Sequence, residues 1–158
     1  MERSKYIGNQ LENGATPFMQ CFGENNVDGN NKVVFHNPFL EDALVCIFNP
    51  KTNEVIQQAY VVGKSTYAFQ TLINGTYSMK LYVGKNWNPL KPNFCSLHGA
   101  FDSNPHYLKL KKKHNIELTG ASFVVLPEVQ TDSETLDDLF FDLSARSFFN
   151  NHVREIRK

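Results

Sequence analysis

The fold class is decided by residues 54–83, EVIQQAYVVGKSTYAFQTLINGTYSMKLYV. This stretch contains three runs rich in β-branched and aromatic residues, separated by Gly63-Lys64 and by Asn74-Gly75. Asn-Gly between such runs is a strong hairpin signal, and in the third run apolar and polar side chains alternate as in a strand with one buried face. The stretch therefore predicts antiparallel strands joined by short turns.

Similar runs continue on both sides of this stretch. KVVFH at 32–36 and DALVCIF at 42–48 precede it, and YLKLKKKHNIELTG at 107–120 and ASFVVLPEV at 121–129 follow it. Strands that recur with turn chemistry between them are typical of a sandwich. We predict a mainly β chain, an antiparallel β-sandwich of about seven or eight strands. Its predicted core comprises Val34, Leu44, Cys46, Phe48, Val61, Tyr67, Phe69, Tyr77, Met79, Leu81, Phe123 and Val125.

The two ends of the chain differ from the middle in composition and in the pattern of apolar residues. Residues 1–31 are polar and predict an irregular N-terminal arm, whose apolar patch TPFMQCFG packs on the core; residues 32–130 form the sandwich. Residues 131–158 predict a C-terminal helical hairpin or tail, because Thr131 and Glu134 can form a capping box. The apolar residues Leu136, Leu139, Phe140 and Leu143 then follow at helical spacing.

Residues 84–106, GKNWNPLKPNFCSLHGAFDSNPH, predict a long loop because they contain three prolines and little periodicity. Loops of this length in compact domains are usually functional or disordered, and the apolar content here argues against disorder. The only tryptophan, Trp87, is interpreted as a rim plug that pins the loop, with direct contact to a partner as the alternative. The candidate binding residues are Tyr82, Asn86, Trp87, Asn88, Phe101, Phe148 and Phe149.

Charge and cysteine usage narrow the classes of partner and compartment. The net charge is zero, so no global field attracts nucleic acid or an anionic membrane, and no run approaches the ~20 apolar residues of a membrane span. The start of the chain has no apolar signal region. Three widely spaced cysteines fit reduced thiols better than a disulfide framework. We expect a cytoplasmic protein with no cofactor, no nucleic-acid partner and no membrane association.

The sequence contains few candidate catalytic or metal-binding residues. A thiol nucleophile or a zinc site could be built from four residues of the predicted loop, Cys95, His98, Asp102 and His106. Their spacing on a loop does not fix the geometry that metal ligands need, so ordinary loop roles are favoured. The basic run KLKKKH at 109–114 is interpreted as a solvated hairpin, with contact to an anionic partner as the alternative. No phosphate loop or hydrolase motif is present, so an enzyme is disfavoured.

Several motifs of this sequence resemble those of known β-domains. GATPFMQCFG, NGTYSMKLYVGKNWNP, GAFDSN and DLFF resemble successive motifs of a family of uncharacterised bacterial β-domains with T-P-Y…F-G, N-G-T-Y and G-N-D-W-N signatures. NGTYSMKLY also resembles, at the level of fold, transthyretin-like and carboxypeptidase-regulatory domains. Phe18 stands at the family's tyrosine position, and the aspartate expected before Trp87 is missing. The resemblance implies fold and boundaries and no catalytic residues.

Three functional hypotheses follow. The first is a non-enzymatic interaction or accessory module with a protein partner, which binds through the Trp87 loop and the C-terminal helix. The second is a sugar or small-ligand domain, in which Trp87 and Tyr82 supply stacking faces. The third is a small metal- or thiol-dependent hydrolase that uses Cys95, His98 and His106.

Overall fold

The computed structural model describes residues 6–25, 27–93, 98–126 and 139–149, and within them the chain is a β-sandwich, as predicted. The described residues form nine strands, more than the predicted seven or eight. The strands are β1 Asn31–His36, β2 Asp42–Phe48, β3 Val55–Val61, β4 Thr66–Leu72, β5 Gly75–Pro92, β6 His98–Leu110, β7 Ile116–Leu118, β8 Phe123–Leu126 and β9 Phe140–Leu143. One-turn helices α1 and α2 span Met19–Phe22 and Ala145–Phe148, and a 3-10 turn spans Lys112–His114. None of the described helices is long and apolar enough to cross a bilayer.

The strands form two sheets that face each other. The smaller sheet has the order β4-β1-β8, and the larger has the order β3-β2-β5-β6-β9, with β7 joined to one end of β5. All pairs are antiparallel except β1 with β8. Between the sheets lies the inner core, which includes Val33, Phe35, Val45, Ile47, Phe69, Met79, Leu81 and Leu118.

Two predicted hairpins are wrong. The Asn74-Gly75 turn does not join paired strands, because β4 pairs with β1 while β5 lies in the other sheet. The amide of Asn31 donates to the side-chain oxygen of Asn74 and to the carbonyl of Leu72, which holds the end of β4 against β1. The strand after the basic run likewise pairs with the start of β5 and not with β6. Long-range pairing has overridden local turn propensity at both places.

The predicted long loop at 84–106 is also wrong, because most of it is strand. β5 continues through Pro92 and β6 begins at His98, so residues 84–92 and 98–106 form an extended hairpin beyond the end of β2. The pairing of Trp87 with Phe101 fixes its register. Prolines and asparagines masked the alternation in the sequence, and bulges in the β5–β6 pairing accommodate them.

The larger sheet is buried on both faces, which the alternating sequence did not predict. Ser78, Lys80 and Tyr82 occupy the expected outward positions of β5, yet each side chain is at most 3% exposed. The N-terminal arm and α2 cover this face and form a second cluster, here called the outer core. It consists of Phe18, Cys21, Phe22, Leu44, Cys46, Phe48, Val55, Tyr60, Tyr82, Trp87, Ala100, Phe101, Phe148 and Phe149.

In the described part of the C-terminal segment, a strand replaces part of the predicted helix. Residues 140–143 form β9, which pairs with the edge of β6 between Tyr107 and Leu110. Helical spacing and strand alternation are hard to separate in a run as short as FFDL, and the open edge of β6 decides in favour of the strand. Ser144 then caps α2 by accepting a hydrogen bond from the Ser147 amide. Residues 131–138 and 150–158 lie outside the described part of the chain.

The predicted core is correct for β2, β3 and β5 and wrong in part for β1 and β8. Val33 and Phe35 are fully buried in β1, whereas the predicted Val34 is half-buried. In β8 Val124 packs against the inner core, while the predicted Phe123 is 64% exposed and Val125 is half-buried. Short apolar runs do not reveal which face is inward, and in both strands the predicted inward residues are one position away from those that face the core. Tyr67 is half-buried against the same core.

Candidate functional site

The aromatic residues predicted as a binding set converge in space, and they do so inside the outer core. Tyr82, Trp87, Phe101, Phe148 and Phe149 are all members of this cluster, and the most exposed of them is only 8% accessible. α2 lies against β5 and β6, so Phe148 and Phe149 reach the face that Tyr82 presents. The sequence therefore identified residues that meet, but their side chains form an interior and not an exposed surface.

Trp87 is surrounded by other aromatic rings of this cluster. Its ring contacts Phe101 at 5.1 Å, Tyr60 at 5.8 Å and Phe18 at 6.0 Å between centroids. The contacts with Phe101 and Tyr60 are edge-to-face, an arrangement that stabilises beyond the area that it buries. At 3% exposure the indole offers no open face to a ligand. This geometry is that of a structural plug in the extended hairpin.

Tyr82 has its hydroxyl group engaged within the protein. Its oxygen accepts a hydrogen bond of 2.8 Å from the Phe101 amide, and its ring stacks on Tyr107 at 4.6 Å. Burial is the main cause that raises the pKa of Tyr82 well above its ordinary value. A neutral, hydrogen-bonded phenol in this position ties β5 to β6.

The backbone of Trp87 holds the N-terminal arm. The strand β2 begins at Asp42, opposite Gly84, and the arm takes over the edge of β5 that β2 leaves open beyond this point. The Trp87 amide donates to the Asn9 carbonyl at 3.1 Å, and the Asn9 side-chain amide donates to the Trp87 carbonyl at 2.7 Å. The Gly8 amide donates to the side chain of Asn86. The Asn86-Trp87 pair is thus an anchoring point for the arm.

The remaining predicted residue of this set, Asn88, lies on the opposite side of the hairpin. Its amide donates to the carboxylate of Asp102 at 3.2 Å, and Lys91 lies 3.7 Å from the same carboxylate. This polar cluster is partly exposed, and it links the two strands of the extended hairpin. Asp102 therefore has a cross-strand structural role.

Where the arm crosses β5 it forms the wall of a groove, here called the arm groove. It has a volume of about 330 Å³ and is lined by Ile7, Gly8, Asn9, Gln10, Leu40, Asp42, Lys85 and Asn86. Leu40 is 75% exposed and Ile7 is 58% exposed, so the groove has two exposed apolar side chains in its lining. Sequence reasoning missed this groove, because its members come from three separate segments and only Asn86 had been singled out.

Asp42 forms the polar floor of the arm groove. Its carboxylate accepts hydrogen bonds from the Tyr60 hydroxyl, the Gly63 amide and the Gln10 side chain. Burial, followed by the hydrogen bond to this carboxylate, raises the pKa of Tyr60 well above its ordinary value. A buried carboxylate is tolerated when it is hydrogen-bonded in this way. Asp42 consequently joins the arm and β3 to β2 at the groove, and its carboxylate oxygens are already used as hydrogen-bond acceptors within the protein.

The predicted thiol or metal set is not assembled among the described residues. Cys95 lies outside them, and His98 and His106 are eight positions apart on β6, which corresponds to roughly 25 Å along an extended strand. The described residues contain no group of three His, Cys, Asp or Glu side chains arranged to hold a metal ion. His98 and His106 therefore cannot bind one metal ion together while β6 is intact.

The expectation of three reduced thiols is wrong for Cys21, which is disulfide-bonded. Cys46 is free and fully buried in the outer core, and burial raises its pKa to about 12. A thiol with so high a pKa carries almost no thiolate at neutral pH, so Cys46 is a packing residue and not a nucleophile. Wide spacing in the sequence gave no indication that Cys21 is oxidised.

Comparison of the chain with protein-family models, with curated proteins and with solved structures finds no match in any of the three.

Proposed function

We propose that this chain is a non-enzymatic interaction module and that its partner is a segment of another protein docked in the arm groove. The observation that carries the proposal is the exposure of Leu40 and Ile7, two apolar side chains that line a cavity of about 330 Å³. Apolar side chains that are exposed beside a cavity are typical of contact sites, because covering them removes apolar surface from water.

The polar groups of the groove define the chemistry of the partner. Lys85 is exposed at the rim, whereas Asp42 on the floor is already hydrogen-bonded to three protein groups. A partner segment that places an apolar side chain against Leu40 and Ile7 and an acidic one beside Lys85 fits both features. Charge at such a rim mainly sets the rate and specificity of association.

The same groups favour binding over catalysis. The ionisable side chains that line the described groove are Asp42, whose carboxylate is hydrogen-bonded within the protein, and Lys85. General acid–base chemistry needs a group that is free to exchange a proton with the substrate, and nucleophilic chemistry needs an adjacent base. The groove provides a shaped surface and hydrogen-bond donors, which suit recognition.

A small polar ligand such as a sugar is the second candidate, because the volume of the groove lies at the lower end of the range for small-molecule sites. Asn9, Gln10 and Asn86 supply side-chain amides there. Trp87 and Tyr82 cannot act as stacking faces in this arrangement, since both rings are buried. Protein docking is preferred because the lining also contains Leu40 and Ile7, two exposed apolar side chains that a small polar ligand would leave in water.

The location of the protein belongs to the proposal as well. A cytoplasmic location remains a prediction from the sequence, and the oxidised Cys21 argues against it, because disulfides persist mainly in oxidising compartments. An accessory domain that works outside a reducing compartment is consistent with both the disulfide and the binding role.

Charge-introducing variants test the proposal. Immobilised wild-type chain, Leu40→Asp, Ile7→Asp and the control Leu90→Asp are compared as baits, and each captured protein is identified and purified for affinity measurement. Leu90 is 66% exposed but lies on the extended hairpin away from the groove, so it controls for a general effect of added charge. We expect Leu40→Asp and Ile7→Asp to weaken binding at least about tenfold, as for central interface positions.

Two results would contradict docking in the groove. One is a partner that binds Leu40→Asp and Ile7→Asp as tightly as the wild type. The other is an equal loss in Leu90→Asp. Trp87→Ala and Phe101→Ala are unsuitable as interface variants, because both side chains are part of the outer core and their removal tests the fold.

A further inference from the structure

A second cavity lies at the other end of the larger sheet, where β5 and β6 meet the 3-10 turn. It has a volume of about 270 Å³ and is here called the basic cavity. Its polar lining consists of Ser78, Lys109, Lys112 and Asn115, and Pro50 and Phe141 form its apolar wall. Three of its lining residues, Lys109, Leu110 and Lys112, belong to the basic run KLKKKH, which has no role in the arm groove.

Ser78 gives the first indication that the basic cavity is a site. The residue is 1% exposed, and its hydroxyl oxygen has no hydrogen-bond partner in the protein. Buried polar side chains are nearly always hydrogen-bonded, and the exceptions call for an explanation such as a missing ligand. Ser78 faces this side of the sheet because Tyr77 and Met79 point into the inner core.

The lysines give a second, independent indication. Lys109 lies directly opposite Lys80 on neighbouring strands, and like charges in this position are destabilising. Its ammonium group is 5.5 Å from the centroid of the Phe48 ring. Among pairs of described residues, the one ion pair joins Lys91 and Asp102. No described carboxylate therefore neutralises the charge of Lys109. Lys112 places another cation on the same cavity.

We propose that the basic cavity binds the phosphate group of a small phosphorylated molecule. Lysine ammonium groups bind phosphate as point charges, and the Ser78 hydroxyl and the Asn115 amide can donate to its several oxygens. Phe141, which is 42% exposed, and Pro50 provide an apolar wall for the organic part of the ligand. An anion bound here would also offset the repulsion between Lys80 and Lys109.

The basic cavity is independent of the proposed protein-binding function. Asp42 in the arm groove and Phe48 beside Lys109 are at opposite ends of β2, a separation of roughly 20 Å along the strand. Loss of phosphate binding would leave the arm groove intact, and the reverse also holds. The two proposals can therefore fail separately.

Amide chemical shifts in a titration with three probes test the inference. Inorganic phosphate, phenyl phosphate and acetate are added to the full chain at constant ionic strength. We expect saturable shifts at Ser78, Lys109 and Asn115 with both phosphates, tighter binding of phenyl phosphate, and weaker or no binding of acetate. Ser78→Ala and Lys109→Met should each weaken binding about tenfold, the effect of losing one hydrogen bond to a charged group.

Lys111→Met is the matched control, because Lys111 belongs to the same basic run but does not line the cavity. Its affinity for phosphate should equal that of the wild type, and the amide spectrum reports whether each variant is folded. An equal loss in Lys111→Met, or non-saturable shifts in the wild type, would overturn the site. Saturation by inorganic phosphate without a gain for phenyl phosphate would overturn the role of the apolar wall.

Discussion

Two glycines set how closely the strands of the extended hairpin approach the outer core. A Cβ atom on Gly84 would lie 2.6 Å from the Cβ of Phe101, and one on Gly99 would lie 2.7 Å from Cζ2 of Trp87. Gly99 also has a φ of +130°, which residues with side chains rarely adopt. These positions explain at the residue level why Trp87 and Phe101 can face each other across the hairpin.

Gly99→Ala is expected to lower the free energy of unfolding by about 1–3 kcal/mol, because it combines overpacking against the indole with an unfavourable φ. Urea denaturation followed by Trp87 fluorescence measures the change and also reports on the environment of the displaced ring.

Gly120→Ala separates the two causes. Gly120 has a φ of +69°, but an added Cβ atom would meet no other atom within 4 Å, so this variant carries the conformational cost alone. A loss in Gly99→Ala no larger than that in Gly120→Ala would contradict close packing of Gly99 against Trp87.

At the scale of the element, the outer core depends on two short helices. α1 supplies Cys21 and Phe22, and α2 supplies Phe148, and together with Phe149 they cover β2, β5 and β6. Helices of one turn have little stability of their own, so they persist through the packing of these side chains. The disulfide at Cys21 adds a covalent restraint to the arm.

The disulfide predicts a specific thiol count. The chain has three cysteines, so a bond within one chain leaves one thiol per chain in denaturant without reductant and three after reduction. The thiol of Cys46 should not react in the native protein, because it is fully buried. Thiol titration with and without denaturant measures both values.

Other thiol counts have distinct meanings. Two thiols per chain together with a dimer on a non-reducing gel would indicate a bond between chains. Three thiols without reductant would contradict the bond altogether and restore the cytoplasmic expectation. Peptide mapping of the oxidised protein identifies the cysteine that pairs with Cys21.

At the scale of the whole molecule, the layer over the larger sheet places ionisable groups in an apolar interior. Lys80 is 3% exposed and lies between the rings of Phe22, Phe48 and Phe148, at 5.1 to 5.3 Å from their centroids. Burial is the main cause that lowers its pKa from 10.5 to about 8. The cation–π contacts compensate only part of the lost hydration.

This burial predicts the pH dependence of stability. Between pH 8 and 10.5 the unfolded chain binds the proton on Lys80 more firmly than the folded chain, so stability rises with pH in this window. Cys46 acts in the opposite sense above pH 9, since its folded pKa is about 12, and the buried Tyr60 and Tyr82 add to the decline above pH 10. From pH 7 to 9 we expect a gain of about 1 kcal/mol from Lys80.

Lys80→Met isolates this contribution. The difference in unfolding free energy between wild type and variant should change by about 1 kcal/mol between pH 7 and 9, measured by urea denaturation at each pH. A difference that stays constant across this range would show that Lys80 is not desolvated in the folded protein.

The amino-acid sequence was enough to predict the class of the fold and to select five aromatic residues that meet in the outer core. Alternation in β5 and the apolar runs of β2 and β3 were sufficient to predict strands, because burial of one side of a strand leaves a period of two in the sequence. Tyr82, Trp87, Phe101, Phe148 and Phe149 were selected for their aromatic character, and they do converge.

Which face of each strand is exposed could be learned only from the folded chain. Trp87, predicted as a plug at the rim with contact to a partner as the alternative, is a buried plug. Lys80, at an outward position of its strand, is an interior cation, because the arm and α2 cover the second face of the sheet. The arm groove and the basic cavity are each formed by residues from separate segments. Local patterns report the period of an element, whereas the partner that covers each face is set by contacts distant in sequence.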